Sequence, residues 1–194
     1  MIPLNFRELA KKFIQKLTDV PEQQLEAFLD EIELKKYESK SYFTKIGDAH
    51  DHVGLVIRGV FRVYYLSPDG EIHIRNFCNE GKLLGSYGTI LTKQPAHVTI
   101  EALEDSLVLQ FSFSAISRQY GKHSGWERLG RRVAEDHYIS RERREYYLLS
   151  LDAASRLACF RNDFPGLENR ITKANVASYI GVKPETLSRL LKRI

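Results

Sequence analysis

The stretch from Thr172 to Arg193 constrains the fold more than any other, because nearly every position in it has a physical reason to form helix, tight turn and second helix. Thr172 is an N-cap residue. Val176 and Ile180, four apart, share one buried face, and Ala177 is small where two helices must approach closely. Gly181 follows where a helix ends in the left-handed region, which glycine enters without steric cost. Pro184 suits the first turn of a second helix, where its missing N–H is not needed. Leu187, Leu190 and Leu191 are expected to bury that second helix against the first. The remaining set, Lys183, Glu185, Thr186, Ser188, Arg189, Lys192 and Arg193, is polar, mostly cationic and free to face outward, as side chains that reach phosphates and base edges of duplex DNA must be. An ordinary helical hairpin rarely combines Ala, Gly and three leucines at these offsets.

Charge supports this placement. The net charge of +4 is confined to the end of the chain: residues 152–194 carry eight Lys or Arg against four Asp or Glu, and the rest is balanced. That asymmetry fits a neutral sensor joined to a DNA-facing module. A length of 194 residues suits two modest domains. Cys78 and Cys159 are too few and too far apart for a disulfide framework or thiolate cluster, so a reduced cytoplasm is expected. From Met1 to Leu17, Phe6, Leu9, Ala10, Phe13, Ile14 and Leu17 recur at helical spacing among Arg7, Glu8, Lys11, Lys12 and Lys16. This is an amphipathic helix lying on a domain, neither export signal nor membrane span.

A second helix is expected after Asp19-Val20-Pro21, burying Leu25, Phe28, Leu29 and Ile32. From Lys35 the period changes to two. Residues 37–43, 54–65, 71–77 and 98–109 are rich in β-branched and aromatic side chains, with tight turns at Gly59 and Pro68-Asp69-Gly70. Short strands without intervening long helices predict an antiparallel, jelly-roll-like sheet and exclude a doubly wound one, and no glycine-rich phosphate loop is present. A short helix near 114–120 precedes a long one over 126–149. Its broken apolar stripe (Trp126, Leu129, Val133, His137, Ile139, Tyr147, Leu148) calls for a partner copy, while Arg141 to Glu145 reads as a solvated or salt-bridged surface.

This order of parts resembles the family of the cyclic-AMP receptor protein and the fumarate and nitrate reduction regulator, over most of the chain. The most specific segment is Ile171 to Lys192, where Pro184-Glu185-Thr186-Leu187-Ser188-Arg189 is similar to the recognition helix whose Glu, Ser and Arg meet bases. Val56 to Tyr64 resembles the family's sheet hairpin, and Asp152 to Leu157 its hinge and first DNA-domain helix. The resemblance implies an α+β protein: an antiparallel jelly-roll, cyclic-nucleotide-binding-like sensor domain over 1–121, a dimerisation helix and hinge over 122–151, and a helix-turn-helix domain over 152–194. It further implies a cytoplasmic homodimer regulating transcription from inverted-repeat duplex DNA, with RNA polymerase as a further partner.

The resemblance departs in the ligand pocket. Where cyclic-nucleotide binders carry Gly and Glu for the ribose, Leu84-Gly85-Ser86-Tyr87 keeps the glycine but has Ser86. Where an Arg-Ser pair would hold the cyclic phosphate stand Ala96 and His97. An arginine–phosphate contact is charge-assisted and bidentate, and a methyl group cannot replace it. The effector is therefore expected not to be cyclic AMP. Gly85, Ser86, Tyr87, His97 and Thr99 are candidate contacts for another effector; a filled, vestigial pocket is the other reading. Two cysteines cannot hold an iron–sulfur cluster; a haem on one histidine remains compatible. Asp48, His50, Asp51 and His52 offer metal-ligand chemistry, but a polar loop before a strand is the simpler expectation, and no metal or cofactor is assigned. His137 is expected at a dimer seam, hydrogen-bonded or pH-responsive, and Cys159 in the DNA domain's core. No nucleophile–base–orienter set is present, so no enzyme is expected. The family continues beyond its recognition helix into a β-wing that touches the DNA backbone, whereas this sequence stops at Ile194, so weaker anchoring is expected. The alternative function is a ligand-sensing or protein-interaction module whose helix-turn-helix is silent on DNA.

Overall fold

A computed structural model describes residues 4–192. The chain divides into two compact units, residues 1–63 with 77–135 and residues 64–76 with 136–194. Helices α1 (Leu4–Leu17) and α2 (Glu22–Leu29) come first. Eight strands follow: β1 (Glu33–Tyr37), β2 (Tyr42–Thr44), β3 (His52–Arg58), β4 (Phe61–Leu66), β5 (Ile72–Cys78), β6 (Leu83–Leu84), β7 (Thr99–Ala102) and β8 (Ser106–Ser112). The short helix α3 (Tyr87–Thr92) sits between β6 and β7, and α4 (Phe113–Ser117) leads into the long α5 (Ser124–Ser150). The carboxyl end holds α6 (Ala153–Asp163), a 3-10 turn (Leu167–Asn169), α7 (Lys173–Ile180) and α8 (Pro184–Leu191). Among the described residues no helix is long and apolar enough to cross a membrane.

The strands form two four-stranded sheets, ordered β1-β8-β3-β6 and β2-β7-β4-β5. These non-consecutive neighbours are the jelly-roll expected from the sequence. In the first sheet β8 lies between β1 and β3, pairing Leu34 with Leu109 on one side and Leu55 with Leu109 on the other. Successive strand side chains point to opposite faces, and here both faces are buried. Val56 and Val108 enter a cluster with Phe43, Phe61, Val63, Val98, Ile100 and Ala102, inside the roll. Leu55 and Leu109 point the other way, into a cluster with Ala10, Ile14, Leu25, Phe28, Leu29, Trp126 and Leu129 from the helices and Ile32 from the link after α2.

Four expectations need correction. The strand anticipated over 37–43 is two, because the chain turns at Glu38–Ser41, where Ser41 N–H donates to Glu38 C=O and Lys40 takes φ 69°. The strand over 98–109 is likewise split into β7 and β8. The stripe on α5 is not one surface: Trp126 and Leu129 are spent on the sensor's own core, while Tyr138, Ile139, Tyr146 and Leu149 are exposed. Cys159 is half-buried rather than a core residue.

Gly59, at the turn from β3 to β4, has φ +112°, and a Cβ there would lie 2.0 Å from Ser106 Oγ and 2.8 Å from its Cα. Neither obstacle yields without moving β8. Gly59→Ala should therefore cost about 2–4 kcal/mol, read as a lower urea midpoint at unchanged m-value; a midpoint equal to wild type would contradict this close approach.

Candidate nucleic-acid interface

The second unit builds its interface from locally determined parts. Asp152 caps α6 by accepting from Ser155 N–H at 2.7 Å. Phe160 and Phe164 close on Tyr179 of α7 at ring-centroid distances of 5.4 and 5.5 Å. Thr172 caps α7, its hydroxyl accepting from Asn175 N–H at 3.2 Å. At the other end Gly181 adopts φ 68°, ψ 42°, and Val182 N–H reaches back to Ala177 C=O at 3.0 Å, the paired closure of a helix ending in a left-handed residue. Pro184 opens α8. Val176, Ala177, Ile180 and Leu187 are buried, so the turn is fixed by packing as well as by backbone geometry. Leu190 and Leu191 are half-buried, leaving Leu187 as the main anchor of α8.

Around that anchor Lys183, Glu185, Thr186, Ser188, Arg189 and Lys192 are all exposed. Glu185, Ser188, Arg189 and Lys192 lie three to four residues apart, hence on one helical face. Lys183 stands at the N-cap, where the unpaired N–H groups of a helix start favour anions. Arg193 lies outside the described residues.

A clasp holding α7 was not anticipated. Within this unit the hairpin segment 64–76 reaches α7 through the Ser178 hydroxyl, which donates to Ile72 C=O at 2.8 Å and accepts from Ile74 N–H at 3.0 Å. Arg144 of α5, expected in a solvated charge run, is half-buried. Its Nη2 donates to Ile74 C=O at 3.0 Å and Tyr179 C=O at 2.5 Å, and its guanidinium lies 3.8 Å from the Tyr179 ring centroid. Burial pushes the Arg144 pKa down, and the contact with Tyr179 counters it. Its neighbour Arg143 faces Asp163 at 3.5 Å. His137 also faces the hairpin: its Nε2 accepts from Arg75 Nη2 at 3.1 Å. Burial and the nearby Arg75 and Arg141 charges hold its pKa down.

Several of the candidate effector residues have partners of their own. Ser86 Oγ is engaged with Thr89 Oγ1 at 2.8 Å, and Tyr87 is partly exposed with its ring edge-on to Phe113. Ala96 is buried, whereas His97 next to it is exposed. Thr99 is buried, with its hydroxyl accepting from Ile46 N–H at 3.2 Å. Arg62 of β4 is paired with Glu101 at 2.8 Å. These residues do not fit a cyclic phosphate, which requires a cation aimed into the roll. Nor do Asp48, His50, Asp51 and His52 gather as ligands; among the described residues no group of three metal-binding side chains does. His50 Nε2 pairs with the Thr44 hydroxyl, His52 Nε2 with Phe43 C=O, and Asp51 accepts from the first N–H groups of α4.

Two antiparallel sheets, a long helix and a short terminal helix with an exposed polar face are the parts from which the two units are made. Comparison with known proteins narrows the class. Residues 34–123 match the cyclic nucleotide-binding domain family. The chain is 28% identical to the anaerobic regulatory protein of Pasteurella multocida over 185 residues, 89% of this chain and 67% of that one. It is 26% identical to the fumarate and nitrate reduction regulatory protein of Yersinia pestis over 184 residues, 89% and 73% of the two chains. The structure of FixK2 from Bradyrhizobium japonicum superposes with a TM-score of 0.75 at 20% identity, covering 84% of this chain and 83% of that one. Residues 34–123 are thus a domain of the cyclic nucleotide-binding type, and over most of its length the chain is similar to regulatory proteins of the fumarate and nitrate reduction kind.

Two expectations follow. Arg144→Ala should destabilise the second unit by about 1–3 kcal/mol, leaving two carbonyls unpaired, and Arg144→Lys should recover only part, because an ammonium cannot both stack and fork; equal stability of Arg144→Ala and wild type in urea would refute the clasp. In the sensor, burial and the neighbouring His52 hold the His50 pKa down. The unfolded chain accepts a proton near pH ~6.5 that the folded chain resists, so stability is full above that pH and declines as pH falls below it. His50→Gln should flatten that decline in a series of thermal melts.

Proposed function

We propose that this chain is a sequence-specific, DNA-binding transcription regulator, acting as a cytoplasmic homodimer on an inverted-repeat operator. The observation that carries this reading is α8: a helix held by Leu187 and the Gly181 turn while its whole polar face stays in solvent. Arg189 is assigned to guanine O6 and N7, Glu185 to a cytosine amino group, Thr186 and Ser188 to a base edge or phosphate, and Lys183, Lys192 and Arg193 to the backbone. Ile139, Tyr146 and Leu149, seven and three residues apart on the exposed face of α5, are the seam for a second copy. Two recognition helices would then enter successive major-groove faces about 34–36 Å apart, the general spacing of helix-turn-helix dimers.

The sensor, taken as residues 1–121, the dimerisation helix and hinge as 122–151, and the reader as 152–194, divide these tasks. The effector is not cyclic AMP, because Ser86, Ala96 and His97 replace the anchors such a ligand needs and Arg62 is committed to Glu101. An effector acts by binding one arrangement of the hinge at 150–152 better than another. RNA polymerase is the downstream partner, and no catalysis is assigned.

Arg189→Ala should weaken operator binding by about 1–3 kcal/mol and flatten preference at one base pair, whereas Lys192→Ala should weaken operator and scrambled duplex alike and reduce the salt slope by about one. Fluorescence anisotropy on both duplexes across a salt series separates the two. Equal losses on both duplexes for both variants would remove Arg189 from base reading, and no binding to either duplex by wild type would favour the DNA-silent module.

A further inference from the structure

The clasp on α7 is anchored at one buried strand residue. Ile74 is bonded through both backbone groups: its N–H donates to the Ser178 hydroxyl at 3.0 Å, and its C=O accepts from Arg144 at 3.0 Å. The next residue, Arg75, reaches α5 through its side chain, Nη2 donating to His137 Nε2 at 3.1 Å. An imidazole nitrogen that accepts from a guanidinium carries no proton. The bond therefore exists only while His137 is neutral. A proton on Nε2 turns the acceptor into a donor and sets two cations at hydrogen-bond distance. The surroundings sharpen that conflict. Around His137 the hairpin presents Arg75 and His73, α5 presents Arg141, Arg144 and Glu145, and α7 presents Tyr179. Against these cations stands Glu145, exposed and about two turns further along α5. Asp136, next to His137 in the chain, is exposed as well.

We propose that the Arg75–His137 contact is an acid-sensitive latch: protonation of His137 parts the hairpin from α5 and, through Ile74, loosens the hold on α7. Its direction follows from linkage. Burial and the Arg75 and Arg141 charges hold the His137 pKa down while the latch is closed, and release returns it toward the ordinary ~6.5, so protons favour the open form. The latch is whole above about pH 6.5 and weakens as pH falls below it; at pH ~5.5 the open form gains at most about tenfold from this one group. Acid otherwise adds positive charge to the chain, which strengthens binding to phosphates. A latch makes operator binding fall in acid, the opposite sign. That regulatory use rests on the DNA-reading proposal, whereas the latch itself does not.

The test is hydrogen exchange of the Ile74 amide in the full chain without DNA, read by NMR at about pH 7.5 and about pH 5.5 and corrected for the intrinsic rate at each. Wild-type protection is expected to fall several-fold in acid. His137→Gln, whose amide oxygen accepts from Arg75 and does not titrate, should keep the neutral-pH protection in both conditions. His137→Lys, a permanent cation, should lack it in both. His73→Gln, which removes the neighbouring imidazole of the hairpin, should show the wild-type fall. Circular dichroism establishes that each variant is folded. Protection that acid leaves unchanged in wild type, a fall that persists in His137→Gln, or a His137→Lys chain as protected as wild type would overturn the latch. Anisotropy on the operator duplex should follow the same order; operator affinity that holds while Ile74 protection falls would overturn the regulatory use.

Discussion

The burial of one indole ring fixes the start of the long helix against the helices of the first unit. Trp126 is fully buried; its Nε1–H donates to Gln24 Oε1 at 2.9 Å and its ring meets the edge of Phe28 at 5.4 Å. One residue earlier, the Gly125 carbonyl accepts from the Thr18 hydroxyl at 2.9 Å, and a Cβ on Gly125 would sit 2.0 Å from Asp19 C=O. These contacts root the first turn of α5 against α1 and α2. A large aromatic ring that is both apolar and hydrogen-bonded favours one orientation strongly, so the helix starts at a defined place. In the second unit, Arg144 of the same helix meets the carbonyls of Ile74 and Tyr179.

The reading helix illustrates why packing elsewhere matters. An eight-residue helix such as α8 is too short to persist alone in water. It holds its shape because Leu187 is buried, Gly181 turns the chain and α7 is itself clasped. Two arginines of the same chemistry are thereby given different tasks by burial alone: Arg144 saturates backbone carbonyls and stacks on a ring, while Arg189 is left in solvent with its donors available. A guanidinium suits either role, since its planar fork matches carbonyls, bases and phosphates alike.

Much of this was legible in the sequence where demands are local. Thr172, Gly181 and Pro184 each satisfy a requirement of their own few residues, and the structure places all three as the sequence predicts. Alternation and turn residues likewise announced the antiparallel roll. The break at Lys40 was invisible because a lysine, not a glycine, takes the left-handed conformation there. Ser178 and Arg144 were illegible for a different reason: their partners on the hairpin lie 104 and 70 positions away, and both residues look like helix surface in their own neighbourhoods. The effector candidates show the same limit. The resemblance to the family's ligand pocket grouped His97 and Thr99 with Ser86; the structure exposes His97 and engages the hydroxyls of Thr99 and Ser86 with Ile46 and Thr89.

The most direct measurement of the central claim is selection of bound sequences from a random duplex pool by the purified protein, at about 0.1 M salt, where exposed charges are screened beyond roughly 10 Å. The account predicts enrichment of an inverted repeat whose half-sites are centred about one helical turn apart, with a G·C pair at a fixed position in each half. Enrichment of a single unrepeated element would contradict the dimer, and retention without sequence preference would contradict base reading by α8.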